Sequence, residues 1–138
     1  MLKLSKKSKV IQKSGKRKSA VARATLKKGS GIVKINNVPL DLYEPKMYMM
    51  RIKEPLLLAG DVAGLVDIDV TVNGGGINGQ ADAARLSIAR AFVEHSPKLK
   101  TVFADYDRQL LVADVRRKEP RKPNTHGSAR SKKQKSYR

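Results

Sequence analysis

Gly74, Gly76 and Gly79 stand at the spacing G-x-G-x-x-G. That pattern can lay bare backbone N–H groups against a pyrophosphate at the start of a helix. The glycines follow a stretch of strand periodicity and precede one of helix periodicity, the context a dinucleotide fingerprint needs. Three features oppose that chemistry. The preceding stretch alternates with Asp67 and Asp69, so one face is wet, whereas a central parallel strand is usually apolar on both. The acid expected about 20 residues on, at a strand end, is missing. Glu94 falls within the helical stretch and Asp105 near the end of the next. Too little chain remains for a doubly wound domain. The same glycines read more simply as a tight strand-to-helix crossover that tolerates only glycine. Compatibly, they read as bare backbone approaching a nucleic-acid phosphate.

Other constellations are weaker. Asp67 and Asp69 share a strand face as an acid/base or metal pair would, but no third partner accompanies them, which points to a solvated face. The chain has no cysteine, which removes disulfides, thiolate catalysis and Cys-based zinc sites. His95 and His126 are its two histidines, too few for a histidine-rich metal site. His95, at the end of a helical stretch, suits a helix dipole. Asp105, Asp107 and Asp114 can pair with Arg108, Arg116 and Arg117, a structural role. Met47, Met49 and Met50 are expected to fill gaps in a core. No catalytic group survives, so neither enzyme, cofactor, metal nor small-molecule substrate is expected.

The elements around these residues carry an uneven charge. Over 138 residues the chain holds 30 Lys and Arg against 12 Asp and Glu, net +18. Residues 1–18 carry +8 and residues 116–138 carry +9, while the 97 residues between carry +1. Blocks of like charge repel and bury no apolar surface, so both ends read as arms awaiting a polyanion. The expected organisation is a basic N-terminal arm (1–18), a globular domain (19–115) and a basic extended C-terminal tail (116–138). Pro120, Pro123 and Gly127 keep the tail extended, a form able to thread between RNA helices. About ten phosphate contacts would give a slope on the order of −7 to −9 in log K against log salt. Tyr137, beside Lys135 and Arg138, offers a stacking ring or is simply a tail residue. No stretch approaches 18 apolar residues, so no membrane span is expected, and the N-terminus lacks the apolar run of a secretory signal.

Within the middle, 20–26 and 66–73 alternate with the period of half-buried strands. Residues 27–31 predict a hairpin loop returning into a strand over 31–36, with a turn at Asn36-Asn37. A short helix begins near Pro45 with Met47, Met50 and Ile52 as its stripe. Pro55 should end it and open a second over 56–59. Ala81, Ala84, Ile88, Ala91 and Phe92 mark a helix over 80–95. Ser96-Pro97 open another through Leu99, Val102 and Phe103, and 110–115 reads as a last strand. This order predicts an α+β fold, a sheet with helices packed on one face.

Ordered motifs make the chain recognisable. Gly15-Lys16-Arg17-Lys18-Ser19-Ala20-Val21-Ala22-Arg23 resembles the opening of the ninth small-subunit ribosomal protein family. Val72-Asn73-Gly74-Gly75-Gly76-Ile77-Asn78-Gly79-Gln80-Ala81 resembles that family's glycine-rich segment. Glu54-Pro55-Leu56-Leu57-Leu58, the block at 106–114, Arg116-Arg117-Lys118-Glu119-Pro120 and the ending Gln134-Lys135-Ser136-Tyr137-Arg138 are similar too. The last blocks resemble archaeal or eukaryotic members, and the short chain favours archaeal. The resemblance spans about residues 15–138. It implies a fold like the second domain of the fifth small-subunit ribosomal protein. It also implies a cytoplasmic, ribosomal location, with neighbouring head proteins and the 3′ major domain of small-subunit rRNA as partners. The rRNA contacts then fall to Lys16, Arg17, Lys18, Arg23, Gly74, Gly75, Gly76, Arg116, Arg117, Lys118, Arg121, Lys122, Arg130, Lys132 and Lys133. The tip, Lys135, Ser136, Tyr137 and Arg138, would touch peptidyl-site tRNA. Bacterial members usually carry a base where Tyr137 stands. An extraribosomal nucleic-acid-binding module and a nucleotide-binding enzyme are the competing classes.

Overall fold

The computed structural model describes residues 9–124, 129 and 130. Strand β1 (Ile11–Arg17) turns through Lys18 and Ser19 into β2 (Ala20–Lys28). Short strands β3 (Val33–Ile35) and β4 (Val38–Pro39) follow, then helix α1 (Lys46–Ala59), strand β5 (Val66–Asn73), and helices α2 (Ile77–His95) and α3 (Leu99–Tyr106). The sheet order is β1-β2-β5-β3-β4. The fold is α+β with the helices on one face, as the periodicity predicts. Ala20, Ala22, Ala24 and Leu26 of β2 and Val66, Ile68, Val70 and Val72 of β5 are buried beneath α2. Arg23, Asp69, Thr71 and Asn73 lie on the opposite, open face. Alternation thus divides each strand into a core face and a wet face.

Several expectations change. The N-terminal arm does not reach residue 18. Ile11–Arg17 pairs with β2 in seven rows from Ile11↔Leu26 to Arg17↔Ala20. Ile11 is buried and Gly15 lies against α2, so β1 needs little apolar side chain to pack, which is why its charge concealed it. Arg90 takes one carbonyl of this edge strand, its Nη1 donating to Ser14 at 3.0 Å.

The loop after β2 does not close a hairpin. β5 lies between β2 and β3, antiparallel to the first and parallel to the second. Asp67 accounts for this: one carboxylate oxygen accepts from the N–H groups of Ser30, Gly31 and Ile32 at 2.9, 3.1 and 3.0 Å. The loop wraps the start of β5 instead of returning beside β2. Asn36 and Asn37, both at positive φ (49° and 67°), make the two-residue β3–β4 turn.

Pro55 sits inside a continuous α1. Ile52, Pro55 and Ala59 form its buried stripe, so the ring serves as apolar surface. Met47 and Met50 face water at 61% and 62% exposure; Met49 alone of the three packs on the core. Residues 110–115 are not a strand. Leu110 closes a 3₁₀ turn (Arg108–Leu110) and is fully buried, and the chain then runs on outside the sheet, with Val115 88% exposed. Among the described residues no helix is long and apolar enough to cross a membrane, and no group of His, Cys, Asp and Glu could hold a metal.

Candidate nucleic-acid interface

The β1–β2 turn carries cations at its tip. Two residues join Arg17 to Ala20, and Lys18 takes a left-handed backbone (φ 53°), a conformation uncommon outside glycine. The crossover from β5 to α2 lies under this turn. Gly74 (φ 75°) and Gly75 (φ 65°) pass so close that a Cβ on Gly74 would lie 2.7 Å from the Ser19 carbonyl oxygen, and one on Gly75 3.0 Å from the Ala20 nitrogen. Gln80 Nε2 donates to the Gly74 carbonyl at 3.0 Å and holds the crossover to α2. Two of the three glycines assigned to rRNA are therefore required by packing. Gly76, the N-cap of α2, faces open space. A dinucleotide crevice needs parallel strands on both sides of the switch point, and β5 has antiparallel β2 on one side.

The chain leaving the body comes back to the same turn. Lys16, Lys18 and Ser19 line an open basin of about 640 Å³ together with Arg116, Arg117 and Lys118. The two basic blocks, far apart in sequence, form one surface. Like unit charges about 7 Å apart repel by about 0.6 kcal/mol in water and by more beside protein. No acid lines the basin itself; Arg116 is held by Asp114 at its edge, and Lys16, Lys18, Arg117 and Lys118 are left as a seat for a polyanion. Arg23, exposed on the open face, lies diagonal to Lys16 across β1 and β2 and extends the patch.

Asp114 holds this arrangement. Its Oδ1 accepts from the Arg116 N–H at 2.9 Å; its Oδ2 accepts from Arg116 Nε at 3.1 Å and Nη2 at 2.9 Å, and from Arg17 Nη1. Arg17 also lies 3.7 Å from Asp82, which takes Arg51 Nη1 at 3.1 Å. Arg51 further donates to Asn78 and stacks over Tyr48, 5.6 Å from the ring centroid. Beside them Arg85 joins Glu54 (2.8 Å) and Asp107 (3.1 Å). Arg17 is thus turned inward into an ion-pair network, its side chain 17% exposed, and is not part of the open cationic surface. Asp107 pairs with Arg85 and not with Arg108; Asp114 pairs with Arg116 as expected and, unexpectedly, with Arg17.

The remaining expected contacts are spread out. Arg121 and Lys122 lie exposed along the extended chain. Arg130 is bound to Glu119, with Nε donating at 2.7 Å. That pair is exposed, the kind of contact worth about 0–1 kcal/mol and open to exchange for a phosphate. Lys132, Lys133, Lys135, Ser136, Tyr137 and Arg138 lie outside the described residues. Ser19 and the organising part of Asp114 are not evident from charge runs. An acid two residues ahead of a basic triplet is the one signal that marks Asp114.

The Arg116 side chain and N–H, with Arg17 beside them, hold the Asp114 carboxyl far below the ordinary carboxylate range. The N–H groups of Ile32 and Ser30 lower Asp67 in the same way. A lowered folded-state value means the contribution is complete above the unfolded value of about 3.9 and is lost as pH falls through the folded one. The Arg116 amide resonance should therefore hold its position from neutral pH down to about 4 and move only in stronger acid. A midpoint at or above the unfolded carboxyl value would show that the clasp is absent in solution.

The model of the family described as ribosomal protein S9/S16 matches residues 15–138. The chain belongs to that family. Small ribosomal subunit protein uS9 of Methanococcus vannielii is 49% identical over 133 residues, covering 94% of this chain and 99% of the relative. The protein of the same name from Methanothrix thermoacetophila is 50% identical over 132 residues, with the same coverage. These relatives are archaeal, and the chain is of the archaeal type. The S9 family is one of structural ribosomal proteins and not of enzymes.

Proposed function

We propose that this chain is a structural constituent of the small ribosomal subunit in the cytoplasm. Its basin cations, with Arg23, Arg121, Lys122, Arg130, Lys132 and Lys133, bind small-subunit rRNA in the 3′ major domain of the head. Arg17, Gly74 and Gly75 support that surface from behind, and Gly76 offers backbone beside it. Neighbouring head proteins complete the surroundings. The tip, Lys135, Ser136, Tyr137 and Arg138, contacts peptidyl-site tRNA, with Tyr137 stacking where a base stands in bacterial members. The observation that carries the reading is the convergence of Lys16 and Lys18 with Arg117 and Lys118, beside the Asp114-bound Arg116, in one basin. Such a surface binds phosphate backbone with strong salt dependence and little base selectivity.

Reconstitution tests it in two steps. The full chain should co-sediment with small subunits through a moderate salt wash; release into the free fraction would favour an extraribosomal nucleic-acid module. Subunits carrying a chain that lacks residues 135–138 should assemble normally but release peptidyl-site tRNA faster. Unchanged tRNA off-rates would remove the tip's role while leaving the rRNA role standing.

A further inference from the structure

Asp114 presents a puzzle. It is a carboxylate at the edge of a surface suited to polyanions, where its charge repels phosphate. Neutralising Arg17 does not by itself require it, since Asp82 already lies 3.7 Å from Arg17. We infer that Asp114 is a positioning residue for nucleic-acid binding: it fixes the direction in which the cationic tail leaves the body, so that Arg117 and Lys118 meet Lys16 and Lys18. The inference rests on the rRNA reading above.

The geometry supports it at three points. The bond from the Arg116 N–H to Asp114 Oδ1, two residues back, is a local side-chain turn that sets the path of the chain. The Arg116 guanidinium closes on the same carboxylate, so this arginine clamps the chain and Arg117 and Lys118 project beyond it. Arg17 anchors the carboxylate to the end of β1, 97 positions away and next to Lys18. The segment has little else to hold it. Residues 113–122 lie in no helix or strand; upstream the Val112 N–H donates to the Arg108 carbonyl at 3.1 Å and Arg90 Nε to the Leu111 carbonyl at 3.2 Å, and further along Glu119 takes the exposed Arg130. A tail held in place before binding loses less conformational freedom when RNA arrives.

Removing the charge separates repulsion from positioning. If Asp114 only repelled phosphate, Asp114→Asn would tighten RNA binding. As a positioning residue, its loss weakens binding by about fivefold, about 1 kcal/mol. Geometry is read directly by tethering an iron–EDTA chelate to single cysteines, which the cysteine-free chain allows. Full-length Ser19→Cys and Pro120→Cys chains are bound to small-subunit rRNA and the cleaved nucleotides mapped. With Asp114 intact the two sets should overlap. With Asp114→Asn the position-19 set should persist, which also reports folding, while the position-120 set spreads and fades. Arg116→Ala, at a residue whose side chain is mostly exposed, should spread the position-120 set in part. A position-120 pattern that stays sharp in both variants, or tighter binding by Asp114→Asn, overturns the inference. No cleavage from position 19 in the parent removes the rRNA reading, and this inference with it.

Discussion

Replacing Gly15 with alanine should lower the stability of the domain by about 3 kcal/mol and its melting temperature by about 10 °C. The site leaves no room for a methyl group. A Cβ on Gly15 would lie 2.4 Å from the Ala83 carbonyl oxygen and 2.8 Å from the Ser87 nitrogen. Both are backbone atoms of α2, fixed by helical hydrogen bonds, so neither can turn aside as a side-chain tip would. The helix is already pared down where it meets β1. Ala83, Ala84 and Ser87 are fully buried, and the Ser87 hydroxyl donates to the Ala84 carbonyl at 2.9 Å. Relief must come from lifting β1, which would disturb its pairing with β2 and the Ser14 contact to Arg90. For a domain of ordinary stability, about 5–15 kcal/mol, this is a large fraction of the whole. Gly64→Ala supplies the comparison, because a Cβ there meets nothing within 4 Å. It should melt within about 0.5 kcal/mol of the parent, or slightly above it. If Gly15→Ala melts with the parent, β1 is not seated on α2, and residues 11–17 revert to being an arm.

Neutralising the basin should change how salt governs RNA binding. Ten phosphate contacts imply a loss of about 10⁴–10⁵ in affinity between 50 and 200 mM salt. Lys16→Ala, Lys18→Ala, Arg117→Ala and Lys118→Ala combined leave about six contacts and a loss of about 10³ over the same range, a slope shallower by about three. The four side chains are exposed and outside the ion-pair network, so the melting temperature should stay near that of the parent. Titrations at several salt concentrations give the slope directly. The same number of neutralised lysines elsewhere, at Lys27, Lys28, Lys98 and Lys100, should alter it far less. Equal slopes for the two quadruple variants would mean that charge counts and location does not, and the basin would lose its standing as a site.

The basin shows how a charge map can be correct while its partition is not. Two polycationic ends around a neutral middle are plain from counting residues. Counting also places Arg17 among the cations available to RNA, although it is paired with Asp114 and Asp82. A guanidinium in a basic run looks free until the fold brings acids from α2 and the tail onto it. The same blindness put β1 in an arm. Its inward face reads Ile11, Lys13, Gly15, Arg17, with one apolar side chain among four. The glycine at its centre suits a packed strand because it has nothing to pack with, letting backbone rest on backbone, a gain that no periodicity scale registers.

Alternation over 66–73, the helical stripe through Phe92 and the glycines of the crossover are local in origin. Their period or their missing Cβ expresses the constraint within a few residues, so α+β, helices on one face and the refusal of a dinucleotide site were legible from the chain alone. The family motifs were equally legible, because they are runs of adjacent residues. The insertion of β5 between β2 and β3, the continuation of α1 through Pro55, the collapse of the supposed last strand into a 3₁₀ turn, and the meeting of both basic blocks at one turn were not. Each depends on partners tens of residues apart: Asp67 on the 30–32 loop, Pro55 against the core, Asp114 on Arg17. Contacts of that range are settled by competition among folded arrangements for burial and hydrogen bonds, and they leave no periodic trace in the segments that make them.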